Sequence, residues 1–221
     1  MTGPCSSGQP PLAHERVDEL IDGLVEKGWY VGRDFLPDAL CQSLLAELDD
    51  KTRRDALVAA GIGRGDQHHL RRDVRGDAIY WLDRESQAQR RYLETMAELQ
   101  QALNQALFLG LFEYEAHFAR YPPGSFYRRH LDSFQGRANR IVSTVGYLTP
   151  DWPSDGGGEM VIYSPNDDRE VARVLPEAGT LVCFMAETIP HEVLPTYRPR
   201  ASIAGWFRRN ASLGGLVDPA R

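Results

Sequence analysis

Of the six histidines in this 221-residue chain, one, His130, is followed two places on by a carboxylate, Asp132, with Leu131 between them. With 31 acidic residues in the chain, about one accidental His-x-Asp/Glu match is expected, so the triplet gains weight from its surroundings. Further along stand His191 and, nine residues after it, Arg200. Two imidazoles and one carboxylate on one face of an iron leave three coordination positions open, which is what oxygen activation by Fe(II) requires. A guanidinium in reach can hold a carboxylate through two parallel charge-assisted hydrogen bonds. Ser202, two places after Arg200, can add a hydroxyl donor.

The residues around His130 read as strand. Side chains at i and i+2 of a strand share a face, so the pattern predicts that His130 and Asp132 reach one ion while Leu131 points into packing. From about residue 112 onward, short β-rich runs alternate with Gly, Pro, Asn and Asp. Strands are predicted near 114–121, 126–132, 140–148, 159–163, 171–175, 180–185, 190–194 and 201–208. Eight short antiparallel strands at this spacing predict a jelly roll, which brings strands distant in sequence side by side. His191 then lies on the seventh strand and Arg200 at the start of the eighth.

The elements before residue 110 have another period. Val17, Leu20, Ile21, Leu24 and Val25 repeat as one helical stripe that should stop at Gly28, followed by a short strand at Trp29–Val31. Leu40, Leu44, Leu45 and Leu48 predict a second helix after Pro37 and Asp38. Tyr92, Met96, Leu99, Leu103 and Leu107 predict a third, ending at Gly110. With one apolar stripe each, these helices need a sheet to cover. The fold class is mixed and mainly β: a double-stranded β-helix, or jelly roll, of about eight antiparallel strands braced by three N-terminal helices.

Composition bounds the rest. A chain of this length with 42% hydrophobic residues fits one domain with one sizeable core. Its expected parts are a tail at 1–12, helical support and a substrate loop at 13–110, a jelly-roll core at 111–209 and a second tail at 210–221. A net charge of −6 argues against nucleic acid and anionic lipid as partners. Cys5, Cys41 and Cys183 lack metal or disulfide spacing, and the start lacks the basic and apolar segments of a signal peptide. A monomer in a reducing cytoplasm is expected.

A larger ordered set of residues carries a resemblance. Tyr121-Pro122, Gly124, Tyr127-Arg128-Arg129-His130-Leu131-Asp132, Arg140, Tyr147-Leu148, Gly157-Gly158, Pro190-His191-Glu192-Val193, Pro195, Tyr197, Arg200 and Trp206 form it, with Arg75-Gly76-Asp77, Ile79 and Trp81-Leu82 upstream. The set resembles the 2-oxoglutarate- and Fe(II)-dependent prolyl 4-hydroxylases of the hypoxia-inducible-factor type, from about residue 17 to residue 209. The resemblance implies Fe(II) on His130, Asp132 and His191, and 2-oxoglutarate with its 5-carboxylate on Arg200. It implies O2 as second cosubstrate and admits ascorbate as an accessory reductant. The implied products are succinate, carbon dioxide and a 4-hydroxylated prolyl residue. Tyr147 is implied to hydrogen-bond the cosubstrate, Tyr121 and Trp206 to line its pocket, and Arg140 to lie near the substrate entrance; Ser202 is expected to join the cosubstrate site as the hydroxyl beside Arg200, and Tyr127 to lie on the substrate side. The extra zinc-binding domain of the animal enzymes has no counterpart among these 221 residues, and Arg200 stands where collagen-type enzymes have lysine.

Residues 61–80 read as a long glycine-rich connection of mixed charge. In the resembling enzymes a loop in this region covers the target peptide, so it is expected to grip a protein substrate, with Arg64 and Asp66 among its contacts. His68-His69 lack the accompanying acid or thiolate of a second metal site. The Arg-Gly-Asp triplets at 64–66 and 75–77 are read as chance as far as cell adhesion is concerned. The expected partner is a protein carrying a target proline, and a translation elongation factor is the family's precedent. Two other readings compete: a dioxygenase of a free amino acid or other small molecule, and a non-catalytic jelly-roll module that keeps a metal for structure. An oxidative demethylase of nucleic acid fits least, because Trp206 stands where that group usually has another arginine.

Overall fold

The structure is a computed structural model that describes residues 13–61, 73–133 and 139–209, with the backbone of two short strands beyond them. Helix α1 (His14–Glu26) is followed by β1 (Trp29–Gly32), α2 (Asp38–Arg53), β2 (Val58–Ala59), β3 (Ala78–Trp81) and α3 (Gln87–Leu107). The β-rich part then runs β4 (Leu111–Tyr121), β5 (Tyr127–His130), β6 (Arg140–Tyr147), β7 (Met160–Tyr163), β8 (Glu170–Val174), β9 (Leu181–Met185), β10 (His191–Val193) and β11 (Arg200–Arg209). Two short strands, β12 (Ser212–Leu213) and β13 (Leu216–Val217), close the series.

Seven strands form one sheet in the order β1-β9-β6-β11-β4-β3-β2, four form another in the order β5-β10-β7-β8, and β12 pairs with β13. Alternation along the strands decides what each face meets. On β11, Ala201, Ile203 and Phe207 turn outward into a core shared with Phe118, Val142, Leu181 and the helices. Those helices contribute Leu20 and Leu24, Leu40, Leu44 and Leu48, and Tyr92, Met96, Leu99 and Leu103, all buried. Each such side chain contributes about 1.5–3 kcal/mol relative to exposure. Between the sheets, Tyr147, Val182 and Phe184 of the larger meet Met160, Ile162 and Val174 of the smaller. Two antiparallel sheets face to face, with helices on the outside of the larger, are the expected double-stranded β-helix.

All eight strands predicted after residue 110 are present, and so are the three helices. Three features differ from expectation. Ala78–Trp81, which starts within the supposed 61–80 connection and ends one residue past it, is strand β3 and pairs with β4, Trp81 opposite His117. All four of its residues are half-buried, so no alternation marked it. Helix α3 stops at Leu107, three residues early, because Phe108 takes the left-handed conformation at its end (φ 53). Strand β5 ends at His130, so Asp132 lies in the bend beyond it. The region before residue 110 also supplies three strands to the large sheet, in addition to its helices.

Candidate active site

Strands β5 and β10 are antiparallel neighbours, and their register sets His130 directly opposite His191. Directly paired residues share a sheet face, so 61 residues of chain are closed by one cross-strand pair. Asp132 reaches back from the bend: its Oδ1 lies 3.5 Å from His130 Nε2 and 3.8 Å from His191 Nε2. One donor atom from each residue lies within 4.8 Å of the other two, the one group among the described residues able to hold a metal in this way.

The protein orients both rings. His130 Nδ1 is 2.8 Å from the carbonyl oxygen of Arg128, and His191 Nδ1 is 3.1 Å from that of Ile189. A proton on Nδ1 donated to these carbonyls leaves each Nε2 lone pair facing the common point. Tyr127 stacks on His130 with ring centroids 3.6 Å apart at 18°, and Phe184 packs on His191 at 4.4 Å. Burial, then the neighbouring His130, pulls the pKa of His191 down to about 4, so its imidazole is a neutral base at neutral pH. Burial also opposes ionisation of Asp132, but His191 and His130 outweigh it and hold the carboxyl well below its usual range. One carboxylate oxygen and two imidazole nitrogens suit a divalent transition metal.

A second polar feature lies on the inner face of β11. Arg200 is 1% exposed, and its guanidinium lies 4.7 Å from the ring centre of Tyr121 and 4.9 Å from that of Tyr147. Register explains both: Arg200 opposes Tyr121 on β4, and Ser202 opposes Tyr147 on β6. Arg200 donates through Nε to the Gly158 carbonyl at 3.1 Å and through Nη1 to Ser202 Oγ at 3.2 Å. Gly158 sits at φ +70, and a Cβ there would come within 3.2 Å of Arg200 Cδ. Among the described residues no carboxylate pairs with this buried cation. The buried Tyr147 hydroxyl beside it closes no well-formed hydrogen bond. An isolated buried guanidinium is costly by several kcal/mol. A ligand carboxylate would satisfy both groups.

Further along that face, Trp206 is surrounded by His117 at 5.4 Å, Trp81 at 6.4 Å and the Arg140 guanidinium 3.6 Å above its ring. Its indole N–H is buried without a partner. Arg140 is tied to Glu115 Oε1 at 2.7 and 2.8 Å, and Glu115 Oε2 accepts from Arg208 at 3.1 Å. Arg140 is thus held inside a charge network, with 18% of its side chain open to solvent. Geometry therefore joins His130, Asp132, His191 and Tyr127 in one cluster, Arg200, Ser202, Tyr121 and Tyr147 in a second, and Trp206 with Arg140 in a third. Arg64 and Asp66 lie outside the described residues.

Three neighbours escaped the sequence reading. His117 shares the inward face of β4 with Tyr121, and period-two counting back from Tyr121 would have found it. Glu115 lies two places further along that same face. Phe184 sits in an unbroken apolar run, Leu181–Met185, where alternation gives no signal.

The chain matches the 2OG-Fe(II) oxygenase superfamily over residues 116–208, the stretch that holds every one of these described polar groups except Glu115. A prolyl-4-hydroxylase of Pseudomonas putida has 41% sequence identity and a TM-score of 0.80, over 88% of this chain and 100% of that one. The hypoxia-inducible factor prolyl hydroxylase of Caenorhabditis elegans is 25% identical over 203 residues, 86% of this chain but 28% of its own length. The prolyl hydroxylase EGLN3 of Mus musculus is 28% identical over 202 residues, covering 86% of this chain and 82% of the relative. Fold, donor set and anion pocket define a non-haem iron oxygenase of the jelly-roll type. The chain belongs to the 2OG-Fe(II) oxygenase superfamily, in its prolyl 4-hydroxylase branch. That family implies Fe(II), 2-oxoglutarate and O2.

Proposed function

We propose that this protein hydroxylates C4 of a prolyl residue in a protein substrate. Fe(II) would be held by His130, Asp132 and His191, and the 5-carboxylate of 2-oxoglutarate by Arg200 with Tyr147. The observation that carries this reading is the pairing of a three-donor cluster with a buried, carboxylate-free Arg200 beside an unsatisfied tyrosine hydroxyl. When bound, Fe(II), 2-oxoglutarate and O2 supply an oxidation in which one oxygen atom enters the substrate C–H bond and the other enters succinate, with release of carbon dioxide.

The chain's own residues do the rest. Arg200, fixed by Gly158 and Ser202, would hold the cosubstrate by its far carboxylate. Tyr121 and Tyr147 wall the guanidinium off from water, which strengthens its hold on a carboxylate. Trp206, Trp81 and His117 form a dry aromatic wall suited to a pyrrolidine ring. Arg140 lies over the Trp206 ring, and it and Tyr127 would meet the backbone around the target proline, with Arg64 and Asp66 as further contacts.

The C. elegans relative is by name a prolyl hydroxylase of a protein, which favours a protein-borne proline over a free amino acid. A translation elongation factor is the first candidate target. The test is incubation with Fe(II), 2-oxoglutarate, ascorbate and a cytoplasmic extract, followed by mass spectrometry for proteins that gain one oxygen on proline. Substrate-dependent 2-oxoglutarate turnover with a free amino acid, and none with proteins, would overturn the protein-substrate reading.

A further inference from the structure

Arg75, Gly76 and Asp77 lie along the outer edge of the strand that carries His130. That strand, β5, is at the border of the smaller sheet. Its outward backbone is covered by this segment: Arg75 bridges Tyr127, Gly76 N–H donates to Phe126 O at 3.0 Å, and Arg128 N–H donates to Val74 O at 2.9 Å. A Cβ on Gly76 would sit 3.1 Å from Ser125 Cβ and Oγ, so glycine permits the close approach, and Ser125 Oγ donates to the Gly76 carbonyl at 3.0 Å. Arg75 and Asp77 form a two-pronged ion pair, Nε to Oδ1 at 2.6 Å and Nη2 to Oδ2 at 2.8 Å. The Asp77 side chain is fully buried.

From that pair a chain of contacts leads to the metal cluster. The Arg75 guanidinium lies 4.8 Å from the centre of the Tyr127 ring, and Tyr127 lies nearly flat on His130. The other imidazole needs no such support. His191 is 4% exposed, sits on a strand flanked on both sides and packs on Phe184. His130 is the last residue of a border strand, and 17% of its side chain is open to solvent.

We propose that the Arg75–Asp77 pair is a positioning clamp for the metal centre, holding Tyr127 flat against His130 so that Nε2 is aimed before the metal arrives. Groups that orient a ligand from outside the coordination sphere typically change metal affinity by about 10–100-fold. A cation over an aromatic ring is favoured by the ring's quadrupole, so the contact restrains the ring as well as covering it. The clamp rests on the reading of His130, Asp132 and His191 as metal ligands and is independent of the substrate.

The test is an anaerobic titration of the full chain with Fe(II) in the presence of 2-oxoglutarate, read by visible charge-transfer absorption. Replacing the pair by Arg75→Leu with Asp77→Leu leaves no buried lone charge and so preserves the fold. The double variant and Tyr127→Leu should both lose about tenfold or more in metal affinity and shift the absorption band. Tyr127→Phe, which keeps the ring, should retain both. Arg75→Lys keeps the charge opposite Asp77 but not the planar fork, and should show the same loss in smaller degree. A double variant, or Arg75→Lys, with wild-type affinity and an unmoved band overturns the clamp. A wild-type chain that binds no Fe(II) overturns the metal reading beneath it.

Discussion

In the proposed function, Arg200 is the residue on which cosubstrate choice turns. A hydrogen bond to a charged group contributes about 1.5–3 kcal/mol, which corresponds to roughly 10–100-fold in affinity. Arg200→Ala is therefore expected to raise the KM for 2-oxoglutarate by that factor, measured as succinate formation, with Fe(II) affinity unchanged because no metal donor is touched. Tyr147→Phe removes one neutral hydroxyl, worth about 1 kcal/mol, and should raise the same KM about fivefold. An unaltered KM in Arg200→Ala would reject the carboxylate role. The His-x-Asp triplet and Arg200 were legible in the sequence because spacing and residue type coincide there. The Asp132 geometry was not: two residues apart in a strand and two residues apart around a bend are the same string of letters.

At the scale of elements, the turn before β7 fixes the angle of the Arg200 stem. Gly158 has φ +70, and a side chain there would press on Thr196 at 3.0 Å and Arg200 Cδ at 3.2 Å. Gly124 has a similar backbone, φ +86, but nothing within 4 Å of where its Cβ would stand. Alanine at either position should cost about 1–2 kcal/mol from the left-handed backbone alone. Gly158→Ala alone should also raise the KM for 2-oxoglutarate; equal KM values in the two variants would show that the turn does not position Arg200. Helices whose apolar residues keep strict period were legible, as with the stripes of α1 to α3, and so were β-rich runs bounded by Gly, Pro, Asn and Asp, as with β4, β6 and β11, although both faces of those strands are largely buried. Strand β3 was not, since four half-buried residues without alternation resemble a connection until β4 supplies a partner. The end of α3 was missed because Phe108, a residue without backbone licence for the purpose, makes the left-handed turn that Gly110 was expected to make.

For the whole molecule, stability in acid depends on a histidine that holds no metal in this reading. His117 is buried on β4, in contact with Trp81 and Trp206, its Nδ1 3.1 Å from the Phe118 carbonyl. Burial first, then the nearby Arg75, pulls its pKa from 6.5 to about 3, Arg140 adding in the same direction and Asp77 opposing. Its folded value is the lower one, so below pH 6.5 the unfolded chain takes up a proton that the native chain refuses. The stability this contributes is complete above pH 6.5 and is lost progressively as pH falls towards 3. Linkage sets the slope at up to about 1.4 kcal/mol per pH unit for one proton. His117→Gln removes that proton and leaves the titrating carboxylates in place, so their effect cancels when variant and wild type are compared. Urea unfolding at pH 7, 6 and 5 should show the variant less stable at pH 7 from lost packing. It should then gain on the wild type by about 1 kcal/mol for each unit below pH 6. Curves that stay parallel between pH 7 and 5 would mean that His117 is protonated alike in both states, and that the aromatic end of the barrel is wet.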